Sequence, residues 1–314
     1  MRAFAEMNID KLYESIESKG HVCIGLDTCK DYIPDSERKK ANDDADAVLS
    51  FNKAVIDASF DIAACFKVQI AYYEELGIRG MSVYAQTLKY IRDKGCLVIA
   101  DIKRGDIADT AIRYAKAHFS GDFESDFVTL NPYMGMDSIE PWLKEAKSCG
   151  KGAFVLMRTS NPGRKDIESL IVSNNIEQLN INKVQDTNQK YAYNIIGEKI
   201  SSLTNEYKGR CGYNIFGVVV GCTEREEAAV IRQTYPHLFF LIPGYGTQGG
   251  GAQDAALLLK NRNGGVVNAS RSIITAWQKK DGVERANYSF AAEAAREAAV
   301  KMRDEILKSC KIGV

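Results

Sequence analysis

A chain of 314 residues is long enough for a full hydrophobic core, and a single α/β barrel reaches this size without dividing into domains. Its 41 basic and 41 acidic side chains cancel, which removes the electrostatic footprint expected of a protein that binds nucleic acid or an anionic membrane. No apolar run approaches the ~20 residues needed to cross a bilayer, and Met1-Arg2-Ala3-Phe4-Ala5-Glu6 carries an early acid without the apolar centre of a signal peptide, so the expected compartment is the cytoplasm.

Helical and strand-like stretches alternate along the chain. A helix is expected over Asp10–Ser18, then a first apolar strand, Val22–Leu26, ending in Asp27. The polar stretch 30–46 predicts loops or short helices over the mouth of the fold, followed by a helix over Asp44–Ser59. Ala63–Val68 reads as a second strand with Lys67 and Gln69 at its end, and Tyr72–Lys94 as one helix. Leu97–Ile102 is the third strand, with a helix over Ile107–His118; Phe127–Leu130 ends in Asn131 and leads to a helix over Asp137–Ser148. Ala153–Met157 ends in Arg158, Thr159 and Ser160 and opens a second polar insertion, 163–189. Then come a helix over Lys190–Leu203, a strand over Ile215–Val220 and a helix over Glu224–Thr234. A strand over Leu238–Ile242, a helix over Asp254–Lys260 and a strand over Gly265–Val267 follow, and the Ala-rich stretch Phe290–Leu307 predicts a last helix packed back on the sheet. Eight apolar runs with helices between them predict an α/β fold of one domain, a closed (β/α)8 TIM barrel; a doubly wound open sheet more often has five or six strands.

The eight cysteines, at 23, 29, 65, 96, 149, 211, 222 and 310, form no Cys-x-x-Cys pair and read as buried thiols. His21, His118 and His237 are far apart and lack a metal-ligand spacing, so no metal site is expected.

The third strand carries charges where a buried strand should have none: Asp101, Lys103, Arg104 and Asp106 fall within six residues of one another. Side chains alternate along a strand, so Asp101 and Lys103 face the same side, which at the carboxyl end of a barrel strand is the mouth. An ion pair capping a strand is one reading of such a pair. The desolvation that so many charges cost favours a functional cleft, as do Asp27, Lys67, Gln69, Asn131, Arg158, Thr159 and Ser160 at other strand ends, all expected to converge there. Late in the chain, Pro243-Gly244-Tyr245-Gly246-Thr247-Gln248-Gly249-Gly250-Gly251 follows strand seven and Asn268-Ala269-Ser270-Arg271 follows strand eight. Glycines let backbone N–H groups approach an anion and Arg271 can grip two of its oxygens, so these loops predict a phosphate site. Gly244, Gly246 and Gly249 also spell G-x-G-x-x-G, but a dinucleotide fingerprint belongs in the first βαβ unit with an acid about 20 residues beyond, and neither condition holds.

Asp101-Ile102-Lys103-Arg104-Gly105-Asp106-Ile107 resembles the D-x-K-x-x-D-I signature of orotidine 5′-phosphate decarboxylases. Phe66–Glu74, Asn131-Pro132-Tyr133, Thr159–Gly163, Pro243–Gly250 and Asn268–Arg271 extend the resemblance, in order, to the longer bacterial form of that family. The resemblance implies a (β/α)8 barrel homodimer that removes CO2 from C6 of orotidine monophosphate without a cofactor. It implies Lys103 as the proton donor to C6 and Asp101 beside the substrate carboxylate, with Lys67 and Asp106 completing a Lys-Asp-Lys-Asp network. Asp106, Ile107 and Thr110 would reach the neighbouring subunit's site. Asp27 and Lys67 would hold ribose hydroxyls, Ser160 the pyrimidine edge, and Gln248 with Arg271 the phosphate; Thr159, Pro243, Gly249 and Ser270 are further expected substrate contacts. Two departures from the family pattern stand out, Ser270 where many members have Gly and Gln69 where some have Asn.

Loss of CO2 leaves a carbanion on the ring, and an ammonium within contact distance both stabilises and protonates it. One lysine cannot supply the whole acceleration of such an enzyme, so phosphate binding is expected to contribute through closure of the glycine-rich loop, 244–251. One rival reading is a Mg2+-dependent sugar-phosphate decarboxylase with the same Asp-x-Lys-x-x-Asp, although strand two ends here in Lys67 and Gln69 instead of acids. Another is a catalytically silent barrel that binds a phosphorylated ligand.

Overall fold

Eight short runs rich in Val, Ile and Phe form the strands, because a segment buried on both faces is stable only when its backbone groups pair with neighbours. The computed structural model describes residues 7–172, 190–246 and 249–312. The strands are β1 (Val22–Gly25), β2 (Cys65–Gln69), β3 (Leu97–Arg104), β4 (Phe127–Leu130), β5 (Gly152–Arg158), β6 (Phe216–Val220), β7 (Phe240–Ile242) and β8 (Gly265–Ala269). All pair in parallel in chain order, and β8 closes on β1 through Val22↔Val267, Cys23↔Asn268 and Ile24↔Ala269. This is the expected (β/α)8 barrel.

Beneath the mouth the barrel is filled by aromatic side chains: the rings of Phe127 and Phe154 lie 5.4 Å apart and those of Phe154 and Phe239 6.4 Å apart. Gly152 and Gly217 make room for them, since a Cβ on Gly152 would come within 2.6 Å of the Phe127 ring and one on Gly217 within 3.0 Å of the Phe154 ring. Outside, the helix Asp44–Ser59 is capped by the Asp43 carboxylate, which accepts the Asp46 N–H at 2.8 Å, and it packs against the last helix, Tyr288–Ile312.

Several expectations are corrected. The single helix over 72–94 is two, Ala71–Glu74 and Gly77–Asp93. The chain turns at Gly77, with φ +63°, and closes so tightly that a Cβ on Gly80 would lie 2.0 Å from the Tyr73 carbonyl oxygen. The insertion 30–46 forms two short helices, Lys30–Tyr32 and Asp35–Arg38, but it leans on the segment after β8 and does not cover the cavity. Trp277 Nε1 donates to Tyr32 O at 3.0 Å and Ser36 Oγ to Ala286 O at 2.8 Å. In the second insertion, Ile171–Val172 pairs antiparallel with Lys190–Tyr191, and the part of it over 173–189 lies outside the described residues. The cysteines are all unpaired, yet only five are buried: Cys29 and Cys211 are half-buried, and Cys149 is exposed at the end of its helix. Among the described residues no helix is long and apolar enough to cross a membrane.

Candidate active site

Alternation along β2 and β3 turns Lys67, Gln69, Asp101 and Lys103 into the barrel. Gln69 and Asp101 are register partners, and Lys67 sits one inward position lower, opposite Ile99, from where its four-carbon stem reaches up. Its ammonium lies 3.0 Å from Asp27 Oδ1, just beyond β1, and 3.0 Å from Asp101 Oδ2. The Lys103 ammonium lies 2.6 Å from Asp101 Oδ1. Gln69 Nε2 donates to Asp101 Oδ2 at 2.9 Å and Thr129 Oγ1, from β4, to Asp101 Oδ1 at 2.8 Å. Asp27, Lys67, Asp101 and Lys103 thus alternate in sign along one chain of contacts.

Burial by itself would raise the Asp101 carboxyl, but the ammonium groups of Lys67 and Lys103 outweigh it and hold the carboxyl well below the usual carboxylate range. Burial likewise disfavours the charged form of Lys67, and the carboxylates of Asp101 and Asp27 overcome that and raise it. The two lysines differ in access: the Lys67 side chain is 6% exposed and that of Lys103 47%. Both amines line one cavity, and Lys103 is the more accessible of the two.

That cavity has a volume of about 410 Å3 and lies at the carboxyl ends of the strands. Leu156, Val219 and Leu241 supply apolar wall; Thr159, Ser160 and Asn161 line it after β5. The Thr159-Ser160 turn is held by Glu168, which accepts Thr159 N at 2.8 Å and Thr159 Oγ1 at 2.6 Å. On the opposite side stand Pro243, Gly244 and Tyr245, then Asn268, Ser270 and Arg271. The glycine-rich loop folds sharply back, with Gly244, Gly246 and Gly249 at φ +99°, +76° and +92°, a region that L side chains avoid. A Cβ on Gly250 would sit 2.4 Å from Cys222 Sγ, and Tyr245 ties the loop to the last helix by donating to Glu305 Oε2 at 2.7 Å. The buried Ser270 hydroxyl has no hydrogen-bond partner among the described residues.

Nine of the expected site residues line this cavity: Asp27, Lys67, Asp101 and Lys103 on one side, and Thr159, Ser160, Pro243, Ser270 and Arg271 around it. Asp106, Ile107 and Thr110 do not; they lie on the outer rim after β3, where the Asp106 carboxylate accepts the N–H of Ile107 at 2.8 Å. Gly249 is exposed beside the cavity, and Gln248 lies outside the described residues. The expected convergence of Arg158 and Asn131 is corrected. The β5–β6 register shifts between Leu156 and Arg158, which turns Arg158 out of the barrel to bond Glu227 at 3.0 Å and the Gly221 carbonyl at 3.2 Å. Asn131 faces outward and accepts the Tyr133 N–H at 3.0 Å. Sequence reasoning missed Thr129, and it named Asn161, Tyr245 and Asn268 only within longer motifs, with no role of their own. Thr129 had a signal, as the one polar residue of its apolar strand at the same alternation parity as the inward Phe127.

A family model described as orotidine 5′-phosphate decarboxylase / HUMPS matches residues 20–286. Among known proteins, the orotidine 5′-phosphate decarboxylase of Clostridium kluyveri is 52% identical over 302 residues, covering 96% of this chain and 98% of the relative. That of Clostridium tetani is 51% identical over 303 residues, covering 96% and 99%. Among solved structures, the OMP decarboxylase of Leishmania donovani is similar with a TM-score of 0.71 at 27% identity, over 96% of this chain and 98% of that one.

Proposed function

The chain belongs to the orotidine 5′-phosphate decarboxylase / HUMPS family, and from that premise we propose how its cavity performs the reaction. The enzyme decarboxylates orotidine 5′-phosphate to uridine 5′-phosphate in pyrimidine biosynthesis. In the proposed mechanism the C6–carboxylate bond breaks, CO2 leaves, and the electron pair remaining on C6 takes a proton from the Lys103 ammonium, which solvent later reprotonates. The observation that carries this reading is the run Asp27–Lys67–Asp101–Lys103, all four lining the cavity, which ends in the more exposed of its two amines. Asp101, kept ionised by two ammonium groups, stands beside the departing carboxylate, while Lys67 is locked between two acids and serves as a fixed positive charge. Asp27 and Lys67 hold ribose hydroxyls, Ser160 with Thr159 the pyrimidine edge, and Pro243, Gln248, Gly249, Ser270 and Arg271 the phosphate.

A Mg2+-dependent sugar-phosphate decarboxylase is disfavoured by the donor set, since the charge between the carboxylates of Asp27 and Asp101 is supplied by Lys67. We further propose one barrel domain, with elements from Asn8 to Ile312, acting as a homodimer in which Asp106, Ile107 and Thr110 complete the neighbouring site. Their position on the rim, outside their own cavity, supports that assignment. The eight unpaired cysteines support a cytoplasmic setting.

Lys103→Ala tests the reading: loss of orotate absorbance on decarboxylation is expected to stop while uridine 5′-phosphate still binds. Near-normal turnover would remove Lys103 as the donor.

A further inference from the structure

β3 and β4 run in step through Ile99↔Phe127 and Ala100↔Val128 and resume only at Arg104↔Leu130. Asp101, Ile102 and Lys103 therefore stand against Thr129 alone, and the surplus residues of such a bulge have no ladder partner. Lys103 absorbs the misfit by adopting φ +46°, a left-handed conformation that a lysine holds only when its surroundings enforce it. Its N–H donates to Thr129 Oγ1 at 2.9 Å. The same oxygen gives its single proton to Asp101 Oδ1 at 2.8 Å, and that carboxylate oxygen also receives the Lys103 ammonium at 2.6 Å. One hydroxyl thus fixes both ends of the lysine, its backbone directly and its ammonium through Asp101.

We infer that Thr129 is a positioning residue for the decarboxylation, holding the bulge in the shape that aims the Lys103 ammonium into the cavity. The inference rests on Lys103 as the proton donor. Thr129 acts through its two neighbours, since its proton goes to Asp101 and its acceptor site to Lys103. A side chain of the same shape without the hydroxyl would leave the Lys103 N–H unanswered and remove one of the four donors to Asp101.

The test compares Thr129→Val and Thr129→Ser by kcat and KM for orotidine 5′-phosphate, by Kd for uridine 5′-phosphate and by thermal unfolding. Thr129→Val is expected to lower kcat by about 100-fold, the usual consequence of a misplaced reacting group, with product affinity within about threefold of the parent. Thr129→Ser, which keeps the hydroxyl, is expected to recover most of kcat. Parent-like kcat in Thr129→Val overturns the inference, as does a serine variant as slow as the valine one, or a parallel fall in kcat and product affinity. Should Thr129→Val not fold, Thr129→Ala replaces it in the same comparison, and a position that folds only with a hydroxyl marks a structural role and overturns the inference too. Lys103→Ala, assayed alongside, separates the two readings: if it is dead while Thr129→Val is normal, only the role of Thr129 fails, whereas an active Lys103→Ala removes the donor itself.

Discussion

Asp101 shows how one side chain can be charged and buried at once. Four donors from Lys67, Gln69, Lys103 and Thr129 replace the water it loses. Its carboxyl lies below its ordinary value and Lys67 above its own, so the stability this pair contributes is present between about pH 4 and pH 10. It is lost only as pH falls through the depressed carboxyl or rises through the elevated amine. The acid limit of stability is set instead by groups such as His118, stacked between Phe123 and Trp142, where burial first and the Arg104 charge second push its pKa down to about 4 from 6.5. Between those values the unfolded chain takes up a proton that the folded imidazole refuses, so stability falls as pH drops from about 6.5 to about 4. That proton linkage amounts to about 3 kcal/mol. Urea midpoints measured across this window are expected to fall less steeply in His118→Asn; an unchanged slope would contradict the assignment. His21, also lowered by burial, keeps the slope from vanishing.

At the scale of elements, two bulges shape the strand ends around the cavity. The two-residue surplus in β3 leaves Lys103 on the inward side that alternation gives it but turns its backbone left-handed, and the shift in β5 swings Arg158 outward into a brace with Glu227. The loop after β7 is held differently, by three glycines at positive φ and by the Tyr245–Glu305 bond to the last helix. Arg271 opens the short helix after β8 and lines the same cavity, at the end proposed to take the phosphate. Removal of the guanidinium in Arg271→Ala is therefore expected to raise KM for orotidine 5′-phosphate by about tenfold or more, the scale of a lost charge-assisted contact, with a smaller change in kcat. Steady-state kinetics check this, and an unaltered KM would place the phosphate elsewhere.

For the whole molecule, the rim position of Asp106, Ile107 and Thr110 bears on assembly. If each cavity is completed by its neighbour, a heterodimer of Asp106→Ala and Lys103→Ala chains carries both lesions in one site and none in the other. Such mixed dimers, purified with two different tags, are expected to regain about half the parent activity by this symmetry. Inactive heterodimers would show that each barrel works with its own Asp106.

The barrel and most of its chemistry were legible in the chain because both follow from local order. Apolar runs at strand length alternate with helices, and Asp101 and Lys103 share a face two residues apart. Glycines cluster where the backbone must take positive φ, as at Gly244 and Gly246. The break of the helix at Gly77, the outward turn of Arg158 and the part played by Thr129 depended on tertiary structure. The break at Gly77 comes from a turn that closes on the Tyr73 carbonyl, whereas the other two arise where neighbouring strands fall out of register, a mismatch that belongs to two strands at once. Residue spacing within one strand marks Thr129 as polar and inward but carries no record of the shift that gives it its partners.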